Sequence, residues 1–173
     1  MYTTCVFASP KSGMSQVRVY AAFVNDILQF VKQPDGSYRA QYELRVEIVD
    51  RHGDRQEGSI LKREIAASGY SETNSRQELN QHQFAFDVPA GEYEIIFELT
   101  DLDNGRHLKR TNNLPVRNFS ESLVSLSDIM FVDAACSDSL PFQPVFPNMS
   151  KTLETLNSDF GAYFEGQCRE RFR

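Results

Sequence analysis

Tyr38-Arg39-Ala40-Gln41-Tyr42-Glu43-Leu44-Arg45-Val46-Glu47-Ile48 alternates apolar and polar residues without a break. Successive side chains on a strand point to opposite faces, so Tyr38, Ala40, Tyr42, Leu44, Val46 and Ile48 form one dry face. Arg39, Gln41, Glu43, Arg45 and Glu47 form the wet one. A helix would scatter the same apolar residues around its circumference. The stretch reads as a long, half-buried strand.

The same period recurs on both sides of it. Val17, Val19, Ala21 and Phe23 alternate within residues 16–23, and a second short strand is expected over 27–31. Pro34-Asp35-Gly36 then marks the turn into the long strand. After Asp50-Arg51-His52-Gly53-Asp54, a polar turn, residues 59–66 read as its partner strand, and 68–78 as a loop or short crossover. His82, Phe84, Phe86 and Val88 alternate up to Pro89-Ala90-Gly91, and Tyr93, Ile95, Phe97 and Leu99 alternate up to Asp103-Asn104-Gly105. Asn-Gly between two such patterns is a strong hairpin signal, because both residues tolerate positive φ. A more polar strand follows over 106–116, with Pro115 suited to a sheet edge, and a last short one over 129–132. The expected fold is all-β, an Ig-like antiparallel β-sandwich of seven to eight strands with an extended C-terminal tail. Tyr93, opening a strand two residues after Gly91, suits either a tyrosine whose hydroxyl ties back to nearby backbone or a plain core tyrosine.

Composition narrows the function. The 173 residues carry 18 Lys and Arg against 24 Asp and Glu, a net charge of −6 spread along the chain. Nucleic acids and anionic membranes need clustered basic residues, so neither is an expected partner. No run of about 18 apolar residues is present, so no direct membrane insertion is expected. The first sixteen residues carry no secretory-signal pattern. Cys5, Cys136 and Cys168 are far apart and contain no Cys-x-x-Cys pair, which speaks against zinc. One disulfide with one thiol, and three free thiols, both remain open.

Candidate chemistry is sparse. His52 lies in a turn, His82 on a dry strand face and His107 after a hairpin, and no serine occupies a Gly-x-Ser-x-Gly elbow. Asp101-x-Asp103-x-Gly105 opens like a calcium loop, but the twelfth position, where a bidentate Glu belongs, is Asn112. Glu92, Glu94 and Glu98 share a wet face, and Lys62-Arg63 and Lys109-Arg110 read as basic pairs on exposed strands. No catalytic residue, cofactor-binding residue, cofactor or metal ligand is assigned.

Several stretches resemble the N-terminal β-sandwich region of bacterial GWxTD domain-containing proteins. They are Val17-Arg18-Val19-Tyr20, Leu28-Gln29-Phe30-Val31-Lys32, Tyr38-Arg39-Ala40 with Tyr42-Glu43, Pro89-Ala90-Gly91-Glu92-Tyr93 and Leu126-Ser127-Asp128-Ile129. The resemblance runs in order over residues 7–132. With no tryptophan, the chain lacks the motif that names the family. The resemblance implies a fragment or truncated relative of a longer periplasmic, envelope or secreted protein.

The expected organisation is an N-terminal segment (1–15), the sandwich (16–135), then a Pro-containing linker and the first strand of a truncated second domain (136–173). Pro141, Pro144 and Pro147 hold the linker extended. Phe160, Ala162 and Phe164 alternate as a strand, with a helix over 150–156 as the rival for the piece before it. Such a strand has nothing to pair with in its own domain, so self-association through it is one expectation. The functional expectation is a non-catalytic scaffold or protein-interaction module, using edge strands or loops. A carbohydrate-binding module is the alternative.

Overall fold

The computed structural model describes residues 1–120, 124–132, 147, 161–163 and 165–168. Its two main sheets are antiparallel and face each other. The smaller has the order β1 (Tyr2–Ala8), β2 (Met14–Val24), β6 (Leu79–Pro89). The larger runs β5 (Arg55–Ala67), β4 (Tyr38–Asp50), β7 (Gly91–Asp101), β8 (His107–Val116). A two-residue strand, β3 (Val31–Lys32), pairs with Arg39 and Tyr38 at the start of β4. The short helix α1 (Tyr70–Thr73) carries the chain from β5 across to β6.

The alternation along β4 is realised in full. Ala40, Leu44, Val46 and Ile48 are 0% exposed and Tyr42 is 2% exposed. They meet Val17, Val19, Ala21, Phe84, Phe86 and Val88 of the smaller sheet, with Ile95, Phe97 and Leu99 beside them. Each such side chain contributes about 1.5–3 kcal/mol on burial, so the inter-sheet layer dominates stability. The wet face of the larger sheet is a lattice of opposite charges. Lys62 and Arg45 reach Glu43 at 3.2 and 3.5 Å, Arg55 reaches Glu47 at 3.7 Å, and Lys109 reaches Glu98 at 3.2 Å. These exposed pairs contribute little individually and keep the face soluble.

Three segments differ from expectation. Residues 1–15 contain a strand, because β1 pairs along its whole length with β2, from Tyr2 opposite Ala21 to Ala8 opposite Ser15. The strand expected over 27–31 is instead a 3-10 turn (Asn25–Ile27) followed by β3. Side-chain bonds draw this backbone out of the ladder. Asn25 Nδ2 donates to the Glu72 carbonyl at 3.0 Å, and the Gln29 amide is taken by the Asp101 carboxylate at 2.6 Å.

The third difference is in the tail. In place of one strand over 160–164 there are two, β11 (Gly161–Tyr163) and β12 (Gly166–Cys168), and both are paired. β11 pairs with β10 (Met130–Val132), and β12 with β9 (Val124–Leu126). Between them Glu165 exchanges bonds with Ser127 at 2.8 and 2.9 Å and forms an ion pair with Arg18 at 2.8 Å. The expected linker, apart from Pro147, and the rival helix over 150–156 lie outside the described residues.

The smaller sheet is dry on its outer face too. Cys5, Phe7, Tyr20 and Ala22 alternate out of phase with the inter-sheet core, yet are 6, 0, 1 and 4% exposed. Arg18 lies over the Phe7 ring at 4.1 Å. The edge of β1 is closed at Val6, whose amide donates to Asp128 Oδ2 at 2.7 Å and whose carbonyl accepts from the Asp128 amide at 3.1 Å.

Two outcomes follow. Val46→Asp puts an unpaired carboxylate in the inter-sheet layer and is expected to cost about 4 kcal/mol or more, whereas Glu47→Ala should cost about 0.5 kcal/mol or less. Urea denaturation of the two variants checks the register, and equal effects would contradict it. A chain ending at Ser139 loses β11, β12 and the Glu165 ion pair. It is expected to melt cooperatively but several degrees lower, about 2–4 °C for each kcal/mol lost. A differential scanning trace without a cooperative transition would show that the tail is required for the sandwich to fold.

Candidate functional site

Where β6 crosses β4, the two sheets are joined by a polar contact. Tyr42 points inward from β4 and His82 inward from β6, and the phenol oxygen lies 2.8 Å from His82 Nε2. Phe23 of β2 packs edge-on against Tyr42 at 5.0 Å and stacks on His82 at 6.0 Å. Arg63 stands opposite Tyr42 in the β4–β5 register, so it shares the inward face. Burial pushes the Tyr42 phenol above its usual range, with Arg63 opposing. Burial and, after it, Arg63 both push the His82 imidazole down. Both groups are thereby held neutral. A general base works best with a pKa near the operating pH, and an activated phenol needs a lowered one. The pair is a neutral hydrogen bond that clasps the two sheets.

The other histidines are elsewhere. His52 sits in the β4–β5 turn, its amide bonded to Asp50 Oδ1 at 2.8 Å, and His107 begins the exposed edge strand β8. At the β4–β5 end, Asp50, Arg51 and His52 face Gly91, Glu92 and Tyr93 across an open depression. Tyr93 closes it by donating its hydroxyl to the Pro89 carbonyl at 3.1 Å, the tie-back its position after Gly91 suggested. A Cβ on Gly91 would lie 3.2 Å from that ring, so a larger residue there would push the Tyr93 ring aside by a few tenths of an ångström.

The Asp101-x-Asp103-x-Gly105 motif is occupied by the chain's own amides. Asp101, 3% exposed, accepts from the Gln29 amide at 2.6 Å, Asn104 Nδ2 at 2.9 Å, and the Asp103 and Asn104 amides at 2.9 and 3.3 Å. Asp103 Oδ2 accepts from the Gln41 amide at 2.7 Å. Gly105, at φ 74°, turns the hairpin. A buried carboxylate is stable only when its lone pairs are met, and here donors from two segments, Gln29 and the Asp103–Asn104 turn, meet those of Asp101.

Glu92, Glu94 and Glu98 lie on one face of β7 as expected, with Glu98 paired to Lys109. Lys62-Arg63 is not a pair in space, since Lys62 points outward to Glu43 while Arg63 points inward beside Tyr42. Period two along Leu61-x-Arg63-x-Ile65 carries that signal in the sequence. Cys5 is a free thiol pushed up to about 11 by burial, with Asp128 adding to it and Arg18 opposing, so it is a poor nucleophile. Cys136 lies outside the described residues, and Cys168 ends β12. No described helix is long and apolar enough to cross a membrane.

Comparison with known proteins finds no matching family model and no matching curated protein. Among solved structures the chain is similar to one named as a β-galactosidase from Bacteroides fragilis, at 14% identity and TM-score 0.45, covering 66% of this chain and 16% of that one. It is similar to a glycosyl hydrolase family 2 member from Bacteroides cellulosilyticus at 14% identity and TM-score 0.43, covering 66% and 14%. A calcium-binding mutant of Bacteroides uniformis β-glucuronidase 2 aligns at 12% identity and TM-score 0.39, covering 72% and 13%. The chain thus spans 13–16% of the length of these solved chains.

The neutral clasp sets a pH dependence with a definite sign. The folded pKa of His82 lies below the unfolded value of about 6.5, so the unfolded chain binds the extra proton. The stability due to neutral His82 is complete above about pH 6.5 and is lost as pH falls toward the folded pKa. Urea midpoints at about pH 7.5 and pH 5 should therefore fall more steeply for the native protein than for His82→Gln. Identical slopes would remove His82 from the account.

Proposed function

We propose that this chain is a non-catalytic, immunoglobulin-like β-sandwich module that binds protein partners. The observation that carries the reading is the disposition of its reactive groups. Tyr42 and His82 are held neutral against each other, Asp101 is saturated by amides, and Cys5 is buried as the thiol. Groups that could do chemistry are engaged in holding the fold, while strand edges and hairpin ends stay accessible. Partners most often use those two surfaces of a sandwich. The resemblance to the GWxTD-associated region supports a setting in a larger envelope or secreted bacterial protein. An in-frame downstream Gly-Trp-x-Thr-Asp sequence tests that setting.

A carbohydrate-binding reading has one specific support. Tyr70 is 67% exposed, and its ring lies 6.1 Å from that of Tyr38. An exposed ring beside a half-buried one is a surface on which a sugar ring can stack. A glycan array separates the readings, with no glycan retained on the protein-binding reading. Retention that disappears in Tyr70→Ala would establish the carbohydrate reading instead. Turnover of p-nitrophenyl esters or glycosides above the buffer rate would overturn both.

A further inference from the structure

The two sheets are unequal, and the shortfall falls beside β6. The larger sheet presents β5 as one edge, and the smaller presents β6 as the edge on the same flank, where Tyr42 of β4 reaches His82. Beyond β6 the smaller sheet has no further described strand, so the inward face of β5 is only partly covered. Leu61 and Ile65 pack against the core but stay half-buried, and Arg63 between them is exposed. Among the described residues Arg63 has no carboxylate partner, and its guanidinium donates only to the neighbouring Lys62 carbonyl, at 3.2 Å.

Among the described residues the outer edge of β6 has no strand beside it. Met1 exchanges bonds with Ala22, at 2.8 and 2.9 Å. By antiparallel alternation, β2 therefore spends its even-numbered amides on β1 and its odd-numbered ones on β6. In the β2–β6 register those odd residues face Asn80, His82, Phe84, Phe86 and Val88. The amides and carbonyls of Leu79, Gln81, Gln83, Ala85 and Asp87 are left pointing outward. Eleven consecutive residue pairs join β2 and β6 without a bulge. Sheet edges are normally blunted by charge, bulge or proline. Yet from Leu79 to Phe86 β6 carries no Lys, Arg, Asp or Glu, and Asp87 is already tied to Lys11 at 2.9 Å. Among the described residues the other outer edges of the two main sheets are blunted. β5 carries Arg55, Glu57, Lys62, Arg63 and Glu64, and β8 carries Lys109, Arg110 and Pro115, while Asp128 closes β1 at Val6.

We propose that the β6 edge is a strand-addition site for an extended segment of a partner protein, one that alternates apolar and polar residues and carries an acidic residue on its inward face. The added strand takes the outward amides and carbonyls of Gln81, Gln83 and Ala85. Its apolar side chains cover Leu61 and Ile65, and its carboxylate meets Arg63. Main-chain bonds of this kind supply affinity, and the alternate side chains supply specificity. The proposal rests on the protein-interaction reading and names its surface and partner chemistry.

The probe is a fluorescein-labelled nonapeptide alternating Thr and Val, with Glu at the central Val position, and its counterpart with Lys there. Fluorescence anisotropy should show saturable binding of the Glu peptide, weakened about tenfold by the Lys exchange and by Arg63→Glu. Gln83→Pro should weaken it at least as much. Proline is tolerated where the amide faces outward, so this variant keeps the β2 ladder, and an unchanged melting curve verifies that it folds. In amide hydrogen exchange, Gln81, Gln83 and Ala85 should be fast in the free protein and slow with peptide. Absence of saturable binding, or slow exchange of all three amides in the free protein, overturns the proposal. Binding indifferent to both Gln83→Pro and Arg63→Glu removes this edge as the site but leaves the interaction reading standing, whereas that reading fails on glycan retention or turnover.

Discussion

Five inward side chains of β4, from Ala40 to Ile48, none more than 2% exposed, are the constraint on which the rest of the molecule depends. A strand with that face must be covered, and its alternation allows only one register, because a slip of one residue would bury Arg39, Gln41, Glu43, Arg45 and Glu47. β7 and β5 take their registers from β4 on either side, and β8 takes its own from β7. The smaller sheet then has to bring Val17, Val19, Phe84 and Phe86 against the same face.

Buried polar groups set the ends of this layered arrangement. Asp101 gathers amides from the 28–29 segment and from its own turn, while Asp103 takes the Gln41 amide. Ser15 donates to the Arg117 carbonyl at 2.6 Å, and Asn80 donates to Asn25 Oδ1 at 2.7 Å. Each is a group that would cost free energy if left alone, and each finds a partner distant in sequence. They define which loop sits where more sharply than apolar contact does, because hydrogen bonds are directional.

The strands of the larger sheet are legible in the sequence because one face is wet, so period two survives in Glu43, Glu47 and Glu98 against Leu44, Val46 and Leu99. The smaller sheet is harder to read for the opposite reason. β1 and residues 20–23 of β2 are dry on both faces, and strand segments covered on both sides lose their alternation, although Gln16 and Arg18 keep it visible earlier in β2. Cys5-Val6-Phe7-Ala8 and Tyr20-Ala21-Ala22-Phe23 are continuous apolar runs, and β1 disappears into an N-terminal segment when read alone. The turn at 25–27 is illegible because its determinants, Glu72, Glu78 and Asn80, lie some fifty residues away. In the candidate site, the Tyr93 tie-back is local and can be seen at Gly91. The Tyr42–His82 contact joins two sheets whose relative placement no local pattern encodes.

The closure of β1 has a consequence for synthesis. Val6 finds its outer partner in Asp128, 122 positions later in the chain, and Tyr2 Oη finds Asn112 Nδ2 110 positions later. On a ribosome adding about 5–20 residues per second, the first strand waits on the order of 6–25 s before Asp128 exists. Throughout that interval Phe7 and Tyr20 belong to a nascent sheet with a bare edge, and the emerging chain is most exposed to premature pairing with its neighbours on a polysome.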